Sequence, residues 1–161
     1  MEYAIRLIDF KTVLPLWRLL WPNRRSPIKP LSTMVHLGGY DSQIPKLYGD
    51  QARFIGSYDG KTLIGVVSGH PTSPLHYRTR GLYVRPEYKQ RGIGQRLLLT
   101  AFDAAIANGH EINWMLPRVC NAKFFQKCGF QILPNPVKDV FEYGPHVYAM
   151  RRCTDAVSRH L

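Results

Sequence analysis

The sequence predicts an α/β protein with a mixed, mostly antiparallel central sheet of about seven strands flanked by helices. Three observations carry this reading. Asp59-Gly60 lies between two apolar-rich runs, 51–58 and 61–69, which is the signature of a tight hairpin. Leu98, Phe102 and Ile106 share one helical face with Leu97, Ala101 and Ala105, so a helix is predicted over 93–108. Beyond Val84, strands and helices alternate, and both later helices fall in crossovers between strands.

Taken in order, 3–8 reads as a first strand, and Asp9 can cap the helix that follows to about Leu20. Trp17, Leu20 and Trp21 give that helix an apolar stripe near its end. The next stretch, WPNRRSPIKP, is rich in proline and basic residues and reads as a loop. A second short helix is expected over 31–37, ending at Gly38-Gly39. The hairpin follows, then a strand over 76–84 that Pro86 cannot continue. Gly109 stops the long helix. A strand over 111–116, a short helix over 121–127, and strands over 130–133 and 146–151 complete the pattern, with 135–144 as a loop. Residues 1–153 are expected to form a single domain and 154–161 a C-terminal tail.

Composition narrows the function classes. Apolar residues make up 45 % and charged residues 20 % of the 161, a globular balance. No apolar run reaches the roughly 20 residues of a membrane span. The N-terminus carries an early acid, Glu2, and no signal-peptide core, so a cytoplasmic protein with no membrane partner is expected. Cys120, Cys128 and Cys153 include no C-x-x-C, which argues against a disulfide framework and a zinc site, and no metal is expected. The formal charge of +11 implies an anionic partner, of which nucleic acid is one and a phosphate-bearing cofactor another. The basic residues are scattered rather than gathered on a recognition helix, which disfavours nucleic acid.

The strongest local signal is LYVRPEYKQRGIGQRLL, where a strand end meets a helix start through Gly92 and Gly94. A helix N-terminus offers unpaired N–H groups and the positive end of its dipole. Glycines there remove the side chains that would block a phosphate, and Lys89 and Arg91 add charge. The loop is not a Walker loop, since no G-K-[ST] follows, and its glycine spacing is not that of a dinucleotide fingerprint.

Leu82-Tyr83-Val84 followed by Lys89-Gln90-Arg91-Gly92-Ile93-Gly94 resembles the GNAT (GCN5-related N-acetyltransferase) superfamily, whose strand end L-x-V leads into [Q/R]-x-x-G-x-[G/A]. Lys89 stands where the family has Gln or Arg. Downstream, Phe125-Gln126-Lys127-Cys128-Gly129-Phe130 is similar to the family's Tyr-x-x-x-Gly-Phe, with Phe125 in place of tyrosine. The resemblance implies a sheet splayed at a cleft that takes acetyl-CoA. Leu82, Tyr83 and Val84 would face the pantetheine arm, Lys89, Gln90, Arg91, Gly92, Ile93, Gly94 and Gln95 the pyrophosphate, and Asn121 and Phe125 the opposite wall. It also implies acetyl transfer to a primary amine of a small metabolite or peptide. A catalytically inert acyl-CoA-binding protein and a basic nucleic-acid-binding module remain the alternatives. A homodimer stays open.

Such a reaction needs a neutral amine, a stabilised oxyanion and a departing thiolate. Phe125 cannot donate a proton, so Tyr143, Tyr148 and Tyr83 are the candidates for that task by chemistry alone. His146 and His76, each at a strand start, are the candidate bases, with Glu111 behind them. If strand alternation is unbroken, Arg78 and Arg80 share a face with Leu82 and Val84. With Arg24 and Arg25 they would then receive an acceptor that carries a carboxylate.

Overall fold

The computed structural model describes residues 2–35, 39–134 and 145–154. Strand β1 (Ala4–Ile8) leads into α1 (Phe10–Leu20), whose N-terminus is capped as expected. Asp9 accepts from the Thr12 amide at 2.8 Å and from its hydroxyl at 2.6 Å. Those bonds hold the Asp9 carboxyl below its ordinary pKa. The α1 face bearing Val13, Leu16 and Trp17 is buried against Val66, with Phe10, Phe54 and Tyr83 packed around it.

The hairpin forms between β2 (Arg53–Asp59) and β3 (Thr62–Pro71). β4 (His76–Val84) pairs antiparallel with β3 and parallel with β5 (Ile112–Met115). Between β4 and β5 runs α3 (Ile93–Ala107), which buries Ile93, Leu97, Leu98, Ala101, Phe102 and Ala105 on the sheet. After α4 (Ala122–Lys127) come β6 (Gln131–Ile132) and β7 (Ala149–Arg152). Among the described residues the sheet has seven strands in the order β1-β2-β3-β4-β5-β7-β6, and only the β4–β5 pair is parallel. β7 thus enters between β5 and β6, so α4 links two strands that are not neighbours.

Two expectations need correction. No helix forms over the described part of 31–37. The chain there is extended and strapped down: Met34 bridges Tyr40, the Asp41 amide donates to the Thr33 carbonyl at 2.7 Å, and the Met34 amide donates to Ser32 Oγ. Side-chain oxygens that bond the local backbone in this way compete with helix formation. Residues 36–38 lie outside the described set. The helix in this region is instead α2 (Ile44–Tyr48), too short to leave a periodic signal.

The second correction concerns β4. Val66 faces Tyr83 and Ser68 faces Arg80, so Val67 of β3 is opposed by both Gly81 and Leu82. This is a bulge, and Gly81 supplies the positive φ, +69°, at its centre. The extra residue reverses the alternation. Tyr77 packs on Phe102 and Ala105, and Leu82 and Val84 pack with Ile93 and Leu97, all toward α3. Arg80 lies over Trp17 and Tyr83 joins the Trp17 cluster, both toward α1. Arg78 and Arg80 therefore face away from the side that Leu82 and Val84 occupy.

Candidate active site

Three structural features converge around the end of β4. The first is the loop before α3. Its backbone turns through a short 3-10 segment, Pro86–Tyr88, and then through positive φ at Gln90 (63°) and Gly92 (79°). A left-handed conformation at Gln90 is costly for a non-glycine residue, by about 1–2 kcal/mol. Left-handed turns in close succession can curl amide groups into an anion-binding concavity. The loop is pinned from behind. Tyr88 donates to Asp59 Oδ2 at 2.7 Å, Arg91 donates to the Tyr3 hydroxyl at 2.9 Å, and Arg96 donates to the Tyr3 carbonyl. Lys89, Gln90, Arg91, Gly92 and Gln95 remain exposed, and a Cβ built on Gly92 meets no atom within 4 Å. The space and the donors fit a pyrophosphate.

The second feature is a parting of strands. β4 and β5 pair at His76–Ile112, Tyr77–Asn113 and Arg78–Trp114, and then separate although β4 runs on to Val84. Asn113 sits at the fork, donating to the Tyr77 carbonyl and to Thr79 Oγ1, each at 2.9 Å. Past it, β4 has no strand partner on its β5 side among the described residues, the geometry an extended ligand would need.

The third feature is a cavity of about 440 Å³ on the α1 side of the fork. Trp21, Arg24, Lys29, the strapped segment from Leu31 to Met34, and Tyr40 form one wall. Arg78, Thr79, Arg80, Met115, Leu116 and His146 form the other. No Asp or Glu is among its lining residues in the described part of the chain. Both β4 arginines are buried here, with Arg78 8 % and Arg80 6 % exposed. Arg80 donates to the Lys29 carbonyl at 2.8 Å and to the Pro30 carbonyl, and lies over the rings of Trp17 and Trp21. Arg78 lies over Trp114, 4.9 Å from the ring centroid. Desolvation pushes its pKa down to about 10, so it stays charged at neutral pH.

The remaining sequence candidates divide clearly. His146 lines the cavity, fixed by its bridge to Arg118 and by the bond from Val147 N to Pro117 O. His76 lies at the closed end of the β4–β5 pair, with Nδ1 2.7 Å from Ser73 Oγ, and does not line the cavity. Arg24 lines the cavity and stacks on Trp21, whereas Arg25 is exposed and lies outside it. Phe125 is buried among Leu98, Met115, Phe130 and Ala149, and Asn121 is exposed at the start of α4. Tyr148 is stacked on Trp114, with its pKa raised by burial. Tyr83 sits in the Trp17 cluster, Glu111 is exposed outside the cavity, and Tyr143 lies outside the described residues.

Sequence reasoning missed three residues here. Phe124, not Phe125, is the exposed ring of α4, and a Cβ on Gly94 would come within 3.2 Å of it. Trp114 carries the Arg78 guanidinium. His70 lies fully buried behind the arginines, with Nδ1 2.9 Å from the Pro71 carbonyl and Nε2 facing the Ser32 amide. Desolvation, then the nearby Arg78 and Arg80, pushes the His70 pKa down to about 3, against the opposing hydrogen bond to Pro71. Below about pH 6.5 the unfolded chain takes up a proton that the folded one refuses. The neutral ring thus contributes stability above that pH, which is lost as pH falls toward 3. Urea melts of the parent from pH 7.5 to 4.5 should show this loss, on the order of a few kcal/mol. His70→Asn should melt earlier at pH 7.5 but with a flatter pH slope. An equal slope in both would contradict it.

The acetyltransferase (GNAT) domain family matches residues 50–132, just over half of the chain. Among solved structures, a variant spermidine N-acetyltransferase from Vibrio cholerae is similar at 17 % identity and TM-score 0.69, covering 99 % of both chains. An acetyltransferase from Streptococcus agalactiae is similar at 12 % and TM-score 0.65, covering 94 % of this chain and 99 % of that one. A GNAT family acetyltransferase from Elizabethkingia anophelis with acetyl-CoA bound is similar at 13 % and TM-score 0.58, covering 94 % of this chain and 98 % of that one. No curated protein matches the sequence.

Proposed function

Since the chain belongs to the GNAT acetyltransferase family, we propose that it acetylates the amine of a small, negatively charged acceptor seated in the cavity beside the β4–β5 fork. The enzyme uses acetyl-CoA as acyl donor and moves the acetyl group to an amine. The observation that carries the acceptor assignment is the cavity itself. It lies where the parallel strands part, and among the described residues cations line it with no carboxylate. A polyamine, the acceptor named for the Vibrio cholerae relative, would meet repulsion from Arg24, Lys29, Arg78 and Arg80.

In this reading the loop from Lys89 to Gln95 holds the pyrophosphate, and the free edge of β4 from Leu82 to Val84 holds the pantetheine. Phe125 and Asn121 belong to the α4 side of the cleft. Both reactants are bound together, which removes much of the entropic barrier. The amine nitrogen bonds the acetyl carbon, the carbon–sulfur bond breaks, and the electron pair leaves on sulfur. His146 takes the proton that the amine must lose. The thiol's low basicity, with a pKa of about 8.5, lets it depart without a tyrosine at position 125.

His146→Gln should lower kcat/KM by about tenfold to a hundredfold and leave CoA affinity unchanged. The acid limb of the parent's pH–rate profile should be lost in the variant. An unchanged profile would remove His146 from the reaction.

A further inference from the structure

We infer that Arg78 is the anchor for a carboxylate on the acceptor, which makes the substrate an amino acid or a closely similar amino carboxylate. This deepens the acetyl-transfer reading above and rests on it. The starting point is a contrast between two neighbouring arginines. Both are buried on the same face of β4, but Arg80 is provided for, by two backbone carbonyls and two indole rings. Arg78 is not. Its Nε and Nη1 are shut off from solvent with no hydrogen-bond partner among the described residues.

A buried charged donor left unpaired is among the costlier features a fold can carry. The Trp114 ring and the nearby Tyr40 offset part of that cost, but neither accepts a hydrogen bond from these nitrogens. Arg80 repels it, and the buried ring of His70, across the strand pair on β3, is held neutral. Among the described residues, no carboxylate lines the cavity that Arg78 borders. What the surroundings supply is orientation. The Trp114 ring covers one face of the guanidinium and fixes its plane. A planar fork whose N–H groups lack a partner in the fold is complementary to two coplanar oxygens, as in a carboxylate.

Position adds the link to catalysis. Arg78 and Trp114 form the last rung of the β4–β5 pair, so the fork begins beside them. An acceptor held by Arg78 is held next to the opening into which the thioester must reach. His146 lines the same cavity. A short molecule with a carboxylate at one end and an amine a few bonds away would meet both demands.

The experiment compares the parent with Arg78→Met and Arg78→Lys. Acceptors are matched pairs, alanine with ethylamine and phenylalanine with phenethylamine, and phosphoethanolamine serves as the phosphate-bearing arm. The parent should favour the carboxylate member of each pair by at least thirtyfold in kcat/KM. Arg78→Met should lose that preference, Arg78→Lys should keep part of it, and CoA affinity should not change in either. Transfer that ignores the carboxylate would overturn the inference while leaving the acetyl-transfer reading intact. Preference for phosphoethanolamine would overturn it in favour of phosphate.

A second measurement does not need turnover. N-acetylalanine and N-acetylphenylalanine should raise the parent's melting temperature, and N-acetylethylamine should not. Arg78→Met should respond to none of them. A response without transfer to any acceptor would keep the anchor and sink the reaction. No response at millimolar concentration would overturn the anchor itself. Because Met removes an unpaired buried charge, Arg78→Met should also melt no lower than the parent. A clear loss of stability would mean the guanidinium has a partner in the fold.

Discussion

Replacing Gly81 with alanine should destabilise the protein by about 2–4 kcal/mol, from left-handed backbone strain and from overpacking of the core. Gly81 has φ +69°, so any L side chain is strained there. Its Cβ would fall 2.3–2.5 Å from the indole of Trp17. Trp17 is fully buried and cannot step aside cheaply. It also donates its Nε1 proton to the Gly81 carbonyl at 2.8 Å and carries Arg80 on its ring. The damage should therefore spread to the cavity wall. Urea melts should record the stability loss, and the acceptor KM should rise while CoA affinity stays near the parent's. A variant with the parent's stability would mean that the β4 bulge is not closed over Trp17.

Gly92→Leu should weaken CoA binding by several hundredfold and cost only about 1 kcal/mol of stability, the penalty for a side chain at positive φ. The fold has room for the side chain, since a Cβ there meets nothing within 4 Å. That room lies over the start of α3, where the pyrophosphate is expected to approach the helix amides. Bulk at this point therefore acts on the ligand rather than on the core. Titration calorimetry would separate the two effects. Unchanged affinity in a folded variant would show that the loop does something other than bind the cofactor.

How much was legible in the sequence depended on the range of the interactions involved. The hairpin at Asp59-Gly60, the strand from His76 to Val84 and the amphipathic α3 are set by local rules of turn chemistry and periodicity, and they appear where those rules put them. The turn of the glycine loop into α3 was legible for the same reason: it is set by consecutive backbone positions. The bulge at Gly81 was not. A glycine inside a strand hints at one, but only the pairing with β3 reveals that two residues oppose Val67. That single insertion moved Arg78 and Arg80 to the opposite face from Leu82 and Val84, and so changed which wall of the site they build.

The segment after Lys29 shows the same limit. A helix is expected over 31–37 from the sequence, yet contacts distant in sequence, with His70 and with the guanidinium of Arg80, hold its described part extended as a cavity wall. The short α2 left no readable period. His146 was found only as a histidine at a strand start. Its place in the cavity comes from bonds to Pro117 and Arg118, which no spacing rule encodes.

The most direct test of acetyl transfer to a carboxylate-bearing amine is mass spectrometry on a mixed acceptor panel incubated with the enzyme and acetyl-CoA. The panel should contain amino acids, their decarboxylated amines, polyamines, peptides and basic proteins at equal concentration. The predicted result is the gain of one acetyl group on amino acids ahead of every other class, with a matching release of free CoA thiol. Polyamines or basic proteins as the leading products, or bound acetyl-CoA with no acceptor modified, would contradict the account.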